Sequence, residues 1–148
     1  MMITIAPELL REILQTFRYQ GCERGGLLKL ETAADGTGRI TGFWADQTPG
    51  ERTTYRPGAE TAAELASLLH SGAAPALIHS HPAAAAGEPD PTVPSSADGW
   101  YMRQRMELNR LPEAFLFIAS GGLYGYRYVC GAAAPEAIVL EETDHDEA

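Results

Sequence analysis

Apolar side chains recur along this chain at two spacings, and the changes of spacing mark its elements. Ile3 to Ile5 is short and β-branched and reads as a strand. Leu9, Leu10, Ile13, Leu14 and Phe17 then fall on one helical face, after a Pro7 that suits a first turn, where a missing N–H costs nothing. That helix is predicted to run through Tyr19 and to stop at Gly21. Two strand-like segments follow, Gly25 to Glu31 and Arg39 to Ala45, and Asp35-Gly36 between them signals a hairpin with antiparallel pairing. Gln47 to Gly58 reads as a loop, extended over Thr53 to Arg56. Glu60 to His70 is a second helix with Leu65, Leu68 and Leu69 on its apolar side, ended by Ser71-Gly72.

From Pro75 to His81 the pattern shortens. Ala76, Leu77 and Ile78 form a buried strand that delivers His79, Ser80 and His81 at its end, and Pro82 stops further pairing. Ala83 to Pro94 is low in complexity, rich in Ala and Pro, and reads as a mobile loop. Ser95 or Ser96 caps a third helix running to about Asn109, because Ser-x-x-Asp resembles a capping box with Asp98 in place of the usual Glu. After Pro112, Phe115 to Ala119 and Leu123 to Val129 are two more strands around Gly121-Gly122. There is no internal repeat and no second core. Helical segments interleaved with five or six strands predict an α+β (α/β mixed) fold, a mixed and mostly antiparallel sheet flanked by helices.

Composition narrows the class. At 148 residues the chain is expected to fold as one unit, large enough to bury about 68–70% of the surface of its unfolded form. No apolar run nears the roughly 20 residues of a membrane span, and the first residues lack a basic and then apolar leader, so neither a membrane segment nor a signal peptide is expected. Two cysteines, Cys22 and Cys130, cannot build a disulfide framework, which points to a reducing compartment and a cytoplasmic protein. The formal net charge is −9, but Glu136 to Ala148 carries six acids and no Lys or Arg. Without that end, 14 acids face 11 bases, so a domain over residues 1–135 is expected to precede a solvated acidic tail over 136–148. The tail could steer a basic partner. Composition offers no clustered Lys/Arg surface, which argues against nucleic acid as the main ligand.

His79 and His81, two apart on a strand, project to the same face and can aim imidazole nitrogens at one spot. A metal ion is the usual reason for that arrangement, and Zn²⁺ takes His nitrogens at about 2.0–2.1 Å in a tetrahedral site. Asp98, 17 residues beyond His81 at the start of the next helix, can supply a carboxylate oxygen as third ligand. Three protein ligands with the fourth position open mark a catalytic site rather than a closed structural one.

Three runs then stand in order: Gly21-Cys22-Glu23-Arg24-Gly25-Gly26-Leu27-Leu28, His79-Ser80-His81-Pro82 and Pro94-Ser95-Ser96-Ala97-Asp98. In them the sequence resembles the JAB/MPN domain family and its JAMM metalloprotease motif, over nearly the whole chain. The resemblance implies an MPN/JAB-like (cytidine-deaminase-like) fold, with His79, His81 and Asp98 holding zinc. It also implies that Glu23 is the general base and then the proton donor to the leaving amine, and that Ser95 hydrogen-bonds the oxyanion. Relatives cut peptide or isopeptide bonds at the C-terminal tails of ubiquitin-like or sulfur-carrier proteins, so a small, prokaryotic-like protease acting on such a tail is the implied function. A glycine-ended tail would call for a narrow groove. No membrane partner is implied, and a homodimer is a further expectation. The stretch from Pro82 to Ser95 is longer than the family spacing, a bulge that loop entropy tolerates and that can act as a flap.

Each residue also has a plainer reading. Glu23 can be a helix-end surface acid, and Asp98 and Ser95 can be helix caps only, with Ser96 in Ser95's place; cap and ligand can coexist, since a first-turn carboxylate suits the helix dipole. Ser80 points to the opposite face and reads as structural, and Cys22 as a buried thiol. His70, His145 and Trp100 read as a helix-end His, a tail His and a packing aromatic. Two other functions fit the same residues: a catalytically silent MPN scaffold that binds partners, and a zinc amidohydrolase acting on cell-wall or other peptides. A large His-x-His barrel hydrolase is excluded, since such barrels take about 250 residues.

Overall fold

The computed structural model describes residues 1–47, 50, 57–71, 74–82 and 90–143. Within them the chain forms β1 (Met2–Ile5), α1 (Pro7–Thr16), β2 (Gly25–Thr32), β3 (Gly38–Ala45), α2 (Ala59–His70), β4 (Ala76–Ser80), α3 (Ser96–Asn109), β5 (Glu113–Ala119), β6 (Leu123–Val129), β7 (Glu136–Ala137) and β8 (Val139–Glu142). Pro7 opens α1 as its position requires, but the helix ends at Thr16 rather than Tyr19. The β2–β3 hairpin turns at Gly36, which has φ +85°, while Asp35 Oδ1 accepts from the Thr37 amide at 3.0 Å and the Thr37 hydroxyl at 2.7 Å. The expected extended stretch over Thr53 to Arg56 and most of the Ala/Pro-rich loop lie outside the described residues.

One sheet contains all eight strands, in the order β7-β6-β5-β4-β2-β3-β1-β8. Strand pairs β1–β3, β1–β8 and β4–β5 are parallel and the others antiparallel. A parallel neighbour needs a crossover, and α3 supplies it between β4 and β5.

The expected helix-flanked α+β layer of MPN/JAB type is corrected by this topology. The molecule is a mostly-strand, nearly closed, barrel-like mixed sheet with three helices. Closure comes from the acidic C-terminal segment that was expected to be a solvated tail. Its residues 136–137 pair with β6, its residues 139–142 pair with β1, and Ile138 between them donates its amide to Gly125 O at 2.8 Å. One run of chain thereby bonds to both ends of the sheet. The composition was misleading because most of these side chains do face water, while the backbone, which composition does not report, is in the ladder. Residues 144–148 lie outside the description.

The curved sheet buries apolar side chains on both of its faces. Ile3, Ile5, Leu28, Ile40, Ile78, Phe115 and Phe117 face inward and meet Ile13 and Phe17 of α1. Leu27, Leu77, Leu116 and Ile118, the alternate positions, face outward beneath Leu65 of α2 and Met102 and Met106 of α3. Among the described residues, no helix is long and apolar enough to cross a membrane.

Gly125 sits where the closure is tightest: a Cβ there would lie 2.7 Å from the Phe117 ring and 3.3 Å from Ile138. Gly125→Val is therefore expected to cost about 1–3 kcal/mol through overpacking, read as a lowered urea midpoint. A variant as stable as the parent would mean that the closing contact is loose.

Candidate metal centre

The outward face that carries Leu77 also carries His79, two residues on along β4. Beside it in the sheet, β2 begins at Gly25, the register partner of His79, so the residues just before Gly25 reach the same spot. Ser80 holds them there. Its buried hydroxyl accepts from the Arg24 amide at 2.7 Å, and its own amide donates to Arg24 O at 2.7 Å. Ser80 is structural, as expected, and what it fixes is Glu23, whose Oε1 lies 3.1 Å from His79 Nδ1.

The third component arrives with α3. Ser95 caps that helix, accepting from the Asp98 amide at 3.1 Å, while the Ser95 amide donates to Asp98 Oδ2 at 2.8 Å. This reciprocal box turns the Asp98 carboxylate toward the histidines. Oδ1 lies 3.1 Å from His79 Nε2 and Oδ2 lies 3.3 Å from His81 Nε2. The imidazole centroids are 4.7 Å apart. Ser95, and not Ser96, is the cap, and the cap and the histidine contact belong to one carboxylate.

Hydrogen bonds sort the ring nitrogens. His81 Nδ1 is 2.9 Å from Pro91 O, and since a carbonyl only accepts, Nδ1 carries the proton and leaves Nε2 toward Asp98. His79 faces acceptors on both sides, Glu23 and, at 3.4 Å, Ser80 O at Nδ1 and Asp98 at Nε2; in the metal-free protein both nitrogens can donate, and the Nδ1 contacts are the ones that would keep their proton if Nε2 took a metal. Both Nε2 atoms and a carboxylate thus converge. Ligands about 2.0–2.1 Å from one tetrahedral ion sit roughly 3.3–3.4 Å apart, close to the two contacts observed here. Glu23, His79 and His81 also offer ligand atoms within 4.8 Å of one another, so this cluster could hold a metal ion.

Glu23 and His79 are buried, His81 and Asp98 half-buried, and Ser95 exposed. Burial by itself lowers the pKa of His79, but hydrogen bonds to Asp98 and Glu23 and their charges outweigh it and raise the value from 6.5 to about 9. Burial acts on Asp98 in the opposite sense, and its contacts with His79 and His81 prevail, holding it well below the usual carboxylate range. Neither cysteine enters the centre: Cys22 is half-buried rather than buried, and Cys130 is exposed.

Glu23, His79, Ser95 and Asp98 open into one cavity of about 520 Å³, one wall of which is α3. Trp100, expected to pack internally, lines that cavity and is exposed instead. The signal for this was available: Trp100 lies two residues before the buried Met102, hence on the other side of the helix. Tyr126 and Pro91 were also missed. Tyr126 donates to Thr92 O at 2.6 Å and Pro91 O accepts from His81, two contacts that depend on the folded loop and have no mark in the sequence. His70 is an exposed helix-end residue, and His145 lies outside the described residues.

Together these features define the class: a β-rich domain with a candidate His/carboxylate metal centre on the outer face of a nearly closed sheet. No protein-family model matches the chain, and no curated protein matches it. Among solved structures, the solution structure of protein DSY2949 from Desulfitobacterium hafniense is similar, with a TM-score of 0.61 and 20% identity over 98% of this chain and 97% of that one. At that identity the likeness carries the fold alone.

Two outcomes test the centre. In metal-free protein the raised pKa of His79 contributes stability that is complete below about pH 6.5 and lost as pH rises through about 9. The lowered pKa of Asp98 contributes stability present above about pH 3.8 and lost as pH falls further. The urea midpoint of chelator-treated protein is expected to be highest between those limits, and a midpoint that climbs from pH 6.5 to 9 would contradict the pairing. Separately, Ser80→Ala leaves the Arg24 amide without its acceptor and is expected to cost about 1–3 kcal/mol in the same assay; an unchanged midpoint would show that the clasp does not hold Glu23.

Proposed function

We propose that this protein is a zinc-dependent metallopeptidase of JAMM type that hydrolyses a peptide or isopeptide bond at the C-terminal tail of a ubiquitin-like or sulfur-carrier protein. The observation that carries this reading is the single Asp98 carboxylate in contact with the Nε2 atoms of both His79 and His81, at 3.1 and 3.3 Å. The resemblance to the JAB/MPN family rests on the order of the three motif runs.

His79, His81 and Asp98 would hold the ion at the edge of the cavity. When bound, zinc supplies a Lewis acid that brings the pKa of a water to about 7 and polarises the scissile carbonyl. Glu23 lies on the cavity wall and takes the proton from the attacking water, then returns it to the leaving amine. Its contact with His79 Nδ1 also fixes the tautomer that leaves Nε2 to the metal. Ser95 accepts its capping bond through a lone pair, so its hydroxyl proton remains to be donated to the developing oxyanion. No step calls for a thiol. The free cysteines support a reducing, cytoplasmic setting.

Metal analysis of the purified chain is expected to find about one zinc per molecule, and the loaded protein to cut a C-terminally extended ubiquitin-like substrate. Glu23→Gln keeps a hydrogen-bond acceptor for His79 and should retain zinc while cleavage falls by at least the 10²–10⁴ typical of general-base loss. Asp98→Ala should lose both. Full activity in Glu23→Gln, or a chain that binds no zinc, would overturn the proposal, the second result favouring a silent scaffold.

A further inference from the structure

We propose that the cleft running from the metal centre along α3 is a groove for an extended peptide, and that Arg105 selects an acidic side chain about three residues from the bond presented to the metal. This deepens the peptidase reading and rests on it only for which bond reacts. The cavity that holds Glu23, His79 and Asp98 at one end continues past Trp100 and Arg105 to Leu108. Trp100 is 63% exposed and Leu108 72%, large apolar side chains left in water on the wall of a cleft that already contains candidate chemistry.

Length argues for a chain rather than a compact ligand. Asp98 to Leu108 spans about 15 Å at 1.5 Å per residue, and an extended strand at roughly 3.3 Å per residue lays four or five residues along it. Arg105 stands seven residues from Asp98, about 10 Å along, level with the third residue of such a peptide. Its guanidinium is held in place: Nε donates to the Tyr101 hydroxyl at 3.1 Å and the group lies 5.2 Å from the centre of that ring. It makes no ion pair among the described residues, so its outer N–H donors are left for a carboxylate in the cleft.

The test uses zinc-loaded Glu23→Gln protein, in which binding is read without turnover, and capped pentapeptides that differ only at the central residue. That residue is third from either end, so the direction of binding does not matter. Calorimetric titration is expected to show the Asp peptide bound about 5- to 10-fold more tightly than the Lys peptide, with Ala between. Adding Arg105→Glu should reverse that order, and adding Trp100→Ala should weaken all three alike. Equal affinities for Asp and Lys, an order indifferent to Arg105→Glu, or no binding of any peptide would overturn the proposal. So would a Trp100→Asp variant that converts a dimer to a monomer in sedimentation while peptide binding stays the same, since the face would then belong to a second copy. Failure of the peptidase reading looks different: the unsubstituted zinc-loaded protein would leave a bound Asp peptide uncut, with the order of affinities intact.

Discussion

An imidazole buried in a sheet is costly to charge, yet the carboxylates of Glu23 and Asp98 take up both nitrogens of His79 and favour its charged form. That one ring, held from two sides, ties together three stretches of chain that lie far apart in sequence. Glu23 comes from the approach to β2, His79 from the end of β4 and Asp98 from the first turn of α3. Each has to be delivered by backbone before the side chains can meet. The register of β2 on β4 and the Ser80–Arg24 clasp deliver the first, and the cap of α3 delivers the third.

Asp98 couples local to long-range structure. One of its oxygens closes the capping box with Ser95 and also meets His81, while the other meets His79. The start of α3 and the geometry of the centre are consequently one event: the helix cannot begin elsewhere without withdrawing the carboxylate from both rings. The negative charge sits at the helix N-terminus, where the helix dipole favours it. A carboxylate kept ionised in this way, with the Nε2 atoms of two imidazoles turned toward it, is suited to a cation in a way that a loose surface acid is not.

The closed sheet explains why the centre lies where it does. The inward face is filled by apolar side chains and α1, which leaves no place for polar chemistry. Alternation puts His79 on the outward face, and α3, crossing from β4 to β5, passes directly over it. The same crossing makes α3 one wall of the cavity and aligns its exposed side chains with the centre. Peptide recognition and metal ligation would then share a single helix.

Local patterns in the chain determined most of the elements: the α1 stripe, the Asp35-Gly36 hairpin, the strand ending at His79, and the Ser95 cap with Asp98 in its first turn. They also singled out His79, His81 and Asp98, because the two-residue period of a strand and the three-residue reach of a cap are short-range rules, whereas Glu23 was marked only through the resemblance of its run to the JAB/MPN motif. Only the tertiary structure decided that the acidic end closes the sheet, that Trp100 faces the cavity, and that Ser80 anchors Glu23. Those outcomes turn on backbone pairing between Met2–Ile5 and Val139–Glu142 and on which side of a helix meets the sheet. Composition and spacing count side chains along the chain, whereas closure is set by hydrogen bonds between residues more than a hundred positions apart and facing by packing between separate elements.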